Sequence, residues 1–238
     1  MDLASYREAY RSQGFVLVSG IFERETVAGM IDHYMAMRAE GPKPGDFGGG
    51  PEDPDDPTHR YPRLINMHAW DRQSLAWAEE PRLLAVLESL IDDKPVLNQT
   101  MLYFKPPGGR GQGLHQDQQY ITIEPLVGVW VALEKSDRQV GCMTVVPGSH
   151  RGGLLEVEAA DTSQSFTGVK AVLPPGAEEV ALEMEPGDVL FFHGKTVHGS
   201  YKNTSADRWR RSFICHFVGE SAERFEPDEG THISHLKR

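Results

Sequence analysis

The sequence is organised around one short stretch in its middle, Gly113-Leu114-His115-Gln116-Asp117-Gln118-Gln119-Tyr120. His115 and Asp117 are two residues apart, and in an extended strand such residues point to the same face. An imidazole beside a carboxylate provides two ligands of a 2-His-1-carboxylate triad, which binds Fe(II) and leaves one side of the metal open. The pair alone is weak evidence, because a chain of this composition produces such pairs by chance. The prediction therefore depends on a second histidine.

His198 is the candidate for that second histidine. It lies in Thr196-Val197-His198-Gly199-Ser200, on a predicted strand that follows the Pro186-Gly187 turn and an apolar strand. The chain between His115 and His198 is long enough for several strands to bring the two together. His193, five residues earlier, is an alternative ligand.

An arginine follows His198 at the start of the next predicted strand. Arg210 carries a guanidinium, which binds a carboxylate through two hydrogen bonds and suits the far carboxylate of a dicarboxylate chelator. Arg208 and Arg211 are alternatives. Alternation along the strand places Arg210 with Ser212 and Ile214, and Arg211 with the more core-like Phe213, Cys215 and Phe217. This favours Arg210.

The composition indicates a water-soluble globular protein. The 238 residues are 39% hydrophobic, the net charge is −11, and only two cysteines occur. A nucleic acid partner is not expected, because phosphate binding needs a basic surface. No stretch reaches the ~18 consecutive apolar residues of a membrane span, and the N-terminus does not read as a signal peptide. Sparse cysteines in apolar segments, Cys142 and Cys215, favour a reducing compartment, so we expect a cytoplasmic location.

Hydrophobic periodicity predicts helices first and strands later. Helices are predicted over 3–12, 23–38 and 81–91, with a strand over 14–18 between the first two. Further strands are predicted over 96–105, 113–122, 127–134, 142–146, 169–173, 179–184, 188–193, 197–201 and 210–218. Many short strands separated by Gly and Pro turns are typical of a jelly roll, here a mainly β, cupin-like double-stranded β-helix with flanking helices. We expect a single domain over 1–238, with a helical part over about 1–95, a jelly-roll core over about 96–218 and a polar tail over 219–238.

Residues 41–60 have little to bury. Gly and Pro dominate the first half, and acidic residues with Pro the second. A segment of this kind inside a compact domain is either a functional loop or a solvated insertion. Both readings, a lid beside the active site and a plain insertion, remain open from the sequence.

Several motifs together resemble the phytanoyl-CoA dioxygenase family in their order along the chain. They are Asn98–Pro107, Leu114-His115-Gln116-Asp117, Val129–Glu134, Gly141–His150, His198-Gly199-Ser200 and Arg210–Phe217. The resemblance covers nearly the whole chain. It implies a double-stranded β-helix and an oxygenase that uses Fe(II), 2-oxoglutarate and O2, with ascorbate as a possible reductant.

The resemblance also implies roles for individual residues. His115, Asp117 and His198 match the iron ligands and the catalytic centre. The 2-oxoglutarate site corresponds to Arg210, Ser200, Met101 and Trp130. Lys105 belongs to a Lys-Pro-Pro turn with a structural role, and His150 matches a turn residue. Gly199-Ser200 after His198 matches the family, whereas the residues after His193 do not.

Two further implications concern chemistry. Where some relatives have a lysine that contacts 2-oxoglutarate, this chain has Asn66, so that contact is replaced or absent. Iron halogenases of the superfamily replace the carboxylate ligand by a small residue, so Asp117 argues against halogenation.

The substrate is the least determined part of the prediction. Asn66, His68, Gln116, Gln118 and Tyr120 are candidate substrate contacts, as are Arg63 and Gln119. His216 is read as a core histidine. An acidic chain without a basic groove favours a small metabolite or natural-product intermediate over a CoA thioester. The expected reaction is hydroxylation of an unactivated C–H bond with release of succinate and CO2.

Two alternatives to this function remain. One is a jelly-roll metalloenzyme that does not use 2-oxoglutarate, such as a cupin-type isomerase or dioxygenase. The other is a catalytically silent ligand-binding protein with the same fold. The sequence does not indicate an oligomeric state or choose among hydroxylation, desaturation, epimerisation and cyclisation.

Overall fold

The computed structural model describes residues 1–47 and 57–225. Five α-helices lie in the N-terminal part of the described chain: α1 Leu3–Gln13, α2 Arg24–Ala39, α3 Pro57–Arg60, α4 Arg72–Ala78 and α5 Pro81–Ile91. The strands are β1 Phe15–Val18, β2 Asp46–Phe47, β3 Arg63–Ile65, β4 Pro95–Tyr103, β5 Gln112–His115, β6 Ile123–Ala132, β7 Met143–Val145, β8 Val157–Ala159, β9 Val169–Ala171, β10 Val180–Leu182, β11 Val189–His193, β12 His198–Ser200 and β13 Ser212–Arg224. Short 3-10 turns occur at Met67–Ala69, Asp117–Gln119 and Ser149–Arg151.

The strands form two facing antiparallel sheets, as in a double-stranded β-helix. The large sheet has the order β1-β11-β6-β13-β4-β3-β2, and the small sheet has the order β10-β7-β12-β5. A two-stranded ribbon of β8 and β9 lies beside them. The predicted fold class, a jelly roll with flanking helices, is confirmed.

Alternation along the central strands gives the large sheet two apolar faces. On β13, Phe213, Cys215 and Phe217 pack into a core cluster with helix residues such as Tyr34 and Leu87. Ile214 belongs to a second cluster between the sheets, which also contains residues of the small sheet. A sheet buried on both faces has near-continuous apolar strands. Each fully buried aliphatic or aromatic side chain contributes about 2 kcal/mol through removal from water.

Most of the predicted elements are observed, with small changes at the ends. The predicted helices correspond to α1, α2 and α5, and each predicted strand overlaps an observed one. The strand predicted over 113–122 is correct only as far as His115, because Asp117–Gln119 forms a 3-10 turn instead. The short strands β2, β3 and β8 and the helices α3 and α4 were not predicted.

The boundaries of the predicted regions also change. β1 pairs with β11, and β3 pairs with β4, so the helical N-terminal part contributes strands to the large sheet. β13 continues to Arg224, so the first residues of the predicted polar tail, 219–224, form the end of a strand. Residues 48–56 of the predicted 41–60 loop and residues 226–238 of the tail lie outside the described residues.

Candidate metal centre

The register of the small sheet brings the two predicted histidine ligands together. β12 pairs with β5 so that His198 lies opposite His115. Their ring centroids are 4.2 Å apart. Asp117 follows β5 on the 3-10 turn, whose backbone is closed by hydrogen bonds from Tyr120 and Ile121 to the Asp117 carbonyl. A turn therefore aims the carboxylate at the histidines, where the sequence had predicted strand alternation.

The three side chains converge with the geometry of a metal site. Asp117 Oδ1 is 3.6 Å from His115 Nε2 and 3.5 Å from His198 Nε2. One ligand atom from each residue lies within 4.8 Å of the others, and all three residues are buried. Among the described residues this is the single group of three or more His, Cys, Asp or Glu side chains that could hold a metal ion.

Hydrogen bonds orient both imidazoles for coordination through Nε2. The Nδ1 atom of His115 is 2.9 Å from the Gly113 carbonyl, and that of His198 is 2.9 Å from the Thr196 carbonyl. A carbonyl only accepts, so each Nδ1 carries a proton and each Nε2 is the ring atom that presents a lone pair to the centre. On His115 this atom also lies 3.0 Å from Gln112 Nε2. The donor set of two imidazoles and one carboxylate fits a divalent iron ion.

The protonation states also suit a cation. Burial lowers the pKa of His115 to about 3, so this imidazole is neutral at physiological pH. For Asp117, burial favours the neutral acid, but the neighbouring His198 and His216 outweigh it and hold the pKa below its ordinary value. The carboxylate is therefore ionised when the imidazole is neutral.

His216 is the residue at this centre that the sequence analysis missed. Its Nε2 lies 2.9 Å from Asp117 Oδ2, the oxygen that does not face His115 and His198. A donor on this oxygen fixes the orientation of the carboxylate, which is a common arrangement behind metal ligands. Its position two residues after Ile214 was the available signal, because alternation places both on the cavity face.

A cavity of about 500 Å³ opens beside the three residues. The predicted 2-oxoglutarate residues Met101, Trp130, Ser200 and Arg210 all line it. The sheet register explains part of this arrangement, since Ile214 of β13 lies between Met101 of β4 and Trp130 of β6. Met101 and Trp130 therefore share one wall, whereas Ser200 belongs to β12 of the facing small sheet.

Arg210 is the arginine that reaches the cavity. It is 1% exposed, and its guanidinium carbon lies 5.3 Å from the centroid of the Trp130 ring. It donates to Ser212 Oγ at 2.9 Å and to Ser200 Oγ at 3.5 Å, while its buried Nε has no partner. Burial lowers its pKa to about 10, so it stays positively charged at neutral pH.

The two competing arginines are engaged elsewhere. Arg208 pairs with Asp137 at 2.8 Å, and Arg211 pairs with Glu134 at 2.8 Å. Neither lines the cavity. The structure therefore places Arg210 alone of the three next to Ser200.

Lys105 is buried beside Ser200. Its Nζ donates to Ser200 Oγ at 3.0 Å and to the carbonyls of Tyr201 and Gly141 at 2.6 and 3.2 Å. Burial, together with the charge of Arg210, moves its pKa well below the usual value. The structural role predicted for this residue thus extends to direct contact with Ser200.

Of the predicted substrate contacts, Tyr120 and Arg63 line the cavity. Asn66, His68, Gln116, Gln118 and Gln119 do not. Asn66 is exposed at a left-handed turn, and His68 bonds Thr100 Oγ1 at 3.0 Å. The substrate role of these two residues stays a prediction, with neither side chain lining the cavity.

The three glutamines bind loops instead. Gln116 donates to the Lys195 carbonyl at 2.8 Å and accepts from Leu155 N at 2.7 Å. Gln118 donates to the Ile123 carbonyl, and Gln119 donates to the Leu155 carbonyl. The chain forms a 3-10 turn here and not a strand, so the three glutamine side chains diverge from Asp117. Their hydrogen bonds hold the surrounding loops against the turn.

His193, the alternative ligand, and His150, the predicted turn residue, lie apart from the triad. His193 contacts His150 and Tyr10, with ring centroids 5.6 and 6.2 Å away. His150 lies 3.1 Å from the Arg11 carbonyl. Both therefore join α1 to the sheets.

Comparison with solved structures supports the fold. The epimerase SnoN from nogalamycin biosynthesis, solved in complex with Fe3+, alpha ketoglutarate and nogalamycin RO, superposes with a TM-score of 0.75. It is 22% identical, and the match covers 94% of this chain and 86% of that one. EvdO2 from Micromonospora carbonacea var. aurantiaca, solved with 2-oxoglutarate, superposes with a TM-score of 0.76 at 20% identity, over 97% and 96% of the two chains.

Comparison of sequences identifies the family. The model of the phytanoyl-CoA dioxygenase (PhyH) family matches residues 10–212. The peroxisomal phytanoyl-CoA dioxygenase of Bos taurus is 31% identical over 196 residues, which is 76% of this chain and 56% of that protein. That of Arabidopsis thaliana is 28% identical over 225 residues, covering 89% and 77%. The chain belongs to the phytanoyl-CoA dioxygenase family, as its motifs predicted.

The match to the curated relatives is partial in length. The chain spans 54% of the probable phytanoyl-CoA dioxygenase of Caenorhabditis elegans and 56% of the bovine protein. Within the described residues, no helix is both long and apolar enough to cross a membrane.

Proposed function

We propose that this protein is an Fe(II)- and 2-oxoglutarate-dependent oxygenase that acts on a small molecule. The observation that carries the proposal is the position of the His115, Asp117 and His198 group, which opens into the same cavity as the buried guanidinium of Arg210. A metal ligand set with open positions and a cation for a second carboxylate are the two requirements of this chemistry.

In this proposal His115, Asp117 and His198 hold Fe(II). Bound iron supplies the activation of O2 that lets 2-oxoglutarate be converted to succinate and CO2 while the substrate is oxidised. Arg210 pairs with the far carboxylate of 2-oxoglutarate, and Ser200 donates a hydrogen bond to it. Trp130 and Met101 cover the co-substrate and exclude water from its carbon chain. Ascorbate serves as an accessory reductant.

Hydroxylation of a C–H bond is the proposed outcome. The similar solved structures include an epimerase and a carbocyclase from nogalamycin biosynthesis, so related folds support other outcomes. The cytoplasmic location also stays a prediction, because the similar protein from Bos taurus is described as peroxisomal. Incorporation of an oxygen atom from O2 into the product distinguishes hydroxylation from the alternatives.

Anaerobic titration with Fe(II) and 2-oxoglutarate tests the proposal directly. The chelate has a weak visible charge-transfer band, which we expect for the wild type and not for His115→Ala. Arg210→Gln should weaken 2-oxoglutarate binding by about a hundredfold, because a buried charge pair is lost. Arg208→Gln and Arg211→Gln are matched controls that should retain the band at wild-type concentrations of 2-oxoglutarate.

Oxygen uptake separates the proposal from its alternatives. The proposed enzyme consumes O2 only with 2-oxoglutarate present, and a library of metabolites should contain compounds that stimulate succinate formation. Iron binding without any dependence on 2-oxoglutarate would instead identify a cupin-type enzyme. An unchanged band in His115→Ala would show that the ligand assignment is wrong.

A further inference from the structure

The cavity contains a second guanidinium, that of Arg63, which the proposed chemistry does not use. Arg63 begins β3 and lines the cavity together with Phe47, Tyr103 and Phe166. Its guanidinium carbon lies 4.6 Å from the centroid of the Phe166 ring, 4.8 Å from that of Phe47 and 5.3 Å from that of Tyr103. Three aromatic rings thus hold the cation in place through cation–π attraction, which requires no N–H hydrogen bond.

Arg63 has hydrogen-bond donors to spare. Across residues 1–47 and 57–225, its guanidinium makes one hydrogen bond, from Nη1 to the Tyr103 hydroxyl at 3.2 Å. Its Nε is buried and has no partner. No carboxylate in that part of the chain pairs with it, in contrast to Arg208 and Arg211. The terminal Nη2 group makes no hydrogen bond within the described residues, so this cation has donors available for an anion.

A chain of polar contacts connects Arg63 to the metal centre. The Tyr103 hydroxyl donates to Gln112 Oε1 at 3.4 Å, and Gln112 Nε2 lies 3.0 Å from His115 Nε2. Arg63 is therefore separated from a predicted iron ligand by only two side chains. A small molecule that contacts Arg63 with one end can place another part of its body beside the metal centre.

The balance of charge favours an anionic substrate, an argument that depends on the proposed function. The double positive charge of Fe(II) and the charge of Arg210 are balanced by Asp117 and the two carboxylates of 2-oxoglutarate. Among the described residues Arg63 has no carboxylate partner, so its guanidinium adds positive charge to the loaded cavity. A negatively charged substrate would offset that charge, and net charge in a low-dielectric cavity is costly.

We infer that Arg63 is the substrate-recognition residue and that the substrate carries a carboxylate on an apolar body. The terminal Nη1 and Nη2 groups of Arg63 present the planar fork that binds a carboxylate with two hydrogen bonds. Phe47, Phe166 and Val169, which line the same cavity, provide apolar walls for the body. One guanidinium matches one carboxylate, whereas the phosphates of a CoA thioester would need a wider basic surface than a chain of net charge −11 provides.

Two probes of equal carbon skeleton test the inference: hydrocinnamate and its neutral counterpart, hydrocinnamyl alcohol. Each is titrated into the full chain loaded anaerobically with Fe(II) and 2-oxoglutarate, so that Arg210 is already occupied. Calorimetry or ligand-observed NMR gives the affinities. We expect the wild type to bind the carboxylate at least about tenfold more tightly than the alcohol, as for other charge-assisted pairs.

Variants assign this preference to one residue. Arg63→Gln should abolish the preference, while Arg63→Lys, which keeps the charge but not the fork, should retain part of it. Arg24→Gln removes an exposed arginine of α2, whose side chain is 80% accessible, and should leave the preference unchanged. Circular dichroism of each variant verifies that it folds. A preference that survives in folded Arg63→Gln, or that is absent from the wild type, would overturn the inference.

The charge-transfer band keeps the two hypotheses apart. If the band forms and the probes bind equally, the Arg63 inference fails while the proposed function stands. If no band forms, the proposed function fails, and the probe pair is then titrated into metal-free Arg210→Gln protein. If metal-free Arg210→Gln protein prefers the carboxylate and the Arg63→Gln, Arg210→Gln double variant does not, the anion site at Arg63 stands without the proposed function. If Arg210→Gln protein shows no preference, the anion site is overturned as well.

Discussion

The hydroxyl of Ser200 shows how single atoms prepare the cavity for an anion. Its Oγ lies 3.0 Å from Lys105 Nζ, 3.2 Å from the backbone nitrogen of Gln112 and 3.5 Å from Arg210 Nη2. All three groups are donors, and the two shorter contacts, from Lys105 and Gln112, occupy the two lone pairs of the oxygen. The hydroxyl hydrogen must then point away from them, and an anion in the cavity can receive it.

Lys105→Met should weaken binding of 2-oxoglutarate by about tenfold, because Ser200 loses the donor that directs its hydroxyl. Iron affinity should change little, since Lys105 does not contact the three predicted ligands. Anaerobic titration of the charge-transfer band measures the first quantity. Lys135→Met, which removes an exposed lysine paired with Glu185, is the matched control. Equal affinities in Lys105→Met and wild type would refute this role.

His216→Phe should reduce Fe(II) affinity by about 10–100-fold, because Asp117 Oδ2 loses its donor and the carboxylate loses its fixed orientation. Phenylalanine keeps a ring of similar size, so the effect reports the hydrogen bond. Competition with a chelator under anaerobic conditions measures the affinity.

His33→Phe provides the comparison for that variant. His33 makes a similar contact with Asp71, at 3.0 Å, on helices away from the cavity. This change should lower stability without altering iron affinity. If both variants lost iron equally, the effect would be one of folding and not of carboxylate orientation.

At the scale of elements, the pairing of β12 with β5 sets the metal centre. It aligns His198 with His115. Gly111, directly before β5, also lies close to Ser200 at the end of β12. A Cβ at Gly111 would lie 2.0 Å from the Ser200 carbonyl oxygen, which is backbone and cannot rotate away. Only glycine permits this approach without a shift of the strand.

Gly111→Ala should therefore lower the free energy of unfolding by about 2 kcal/mol through overpacking. It should also weaken 2-oxoglutarate binding, because the shift displaces Ser200. Denaturant unfolding and the charge-transfer titration measure the two effects. Gly29→Ala in α2, where a Cβ meets nothing within 4 Å, should be neutral or stabilising by up to about 1 kcal/mol. Wild-type stability in Gly111→Ala would contradict the close approach.

The β-strands also show why the sequence predicted faces better than ends. Val127, Val129 and Val131 of β6 contact the helix-side cluster, while Trp130 and Ala132 contact the cluster between the sheets. Alternation of this kind is local and can be read from the sequence. The end of β5 at His115 is not, because the turn that follows is held by Gln116 contacts to Gly153, Leu155 and Lys195.

At the scale of the whole molecule, the half-buried His193, away from the cavity, makes stability depend on pH. Burial, followed by the charge of nearby His150, lowers the pKa of His193 to about 4. Between that value and the ordinary pKa of about 6.5, the unfolded chain binds a proton that the folded chain does not. The stabilising contribution is therefore complete above about pH 6.5 and is lost progressively as the pH falls towards 4.

The metal-free protein should lose on the order of 2 kcal/mol of unfolding free energy from this group between pH 7 and pH 4. His193→Asn keeps an acceptor for the amide of Lys195, which bonds His193 Nδ1 at 3.0 Å, but removes the titration. Denaturant unfolding at several pH values should give a shallower pH dependence for the variant. Parallel curves for variant and wild type would show that His193 does not contribute.

The sequence by itself determined the class of fold, the family and the residue types of the centre. Strand alternation and ordered motifs are local properties: alternation favoured Arg210, and the motifs pointed to His115, Asp117 and His198, without any contact being known. Only the tertiary structure decided that Arg208 and Arg211 pair with Asp137 and Glu134 and that five candidate substrate residues lie outside the cavity.

The tertiary structure also added His216, Lys105 and Arg63 to the site, the last with no carboxylate partner in the part of the chain that the structure describes. These roles depend on contacts between distant parts of the chain: the bond from His216 to Asp117 spans 99 residues, and that from Lys105 to Ser200 spans 95. Alternation predicts which face of a strand a residue occupies. The register of the sheets decides which side chain it meets there.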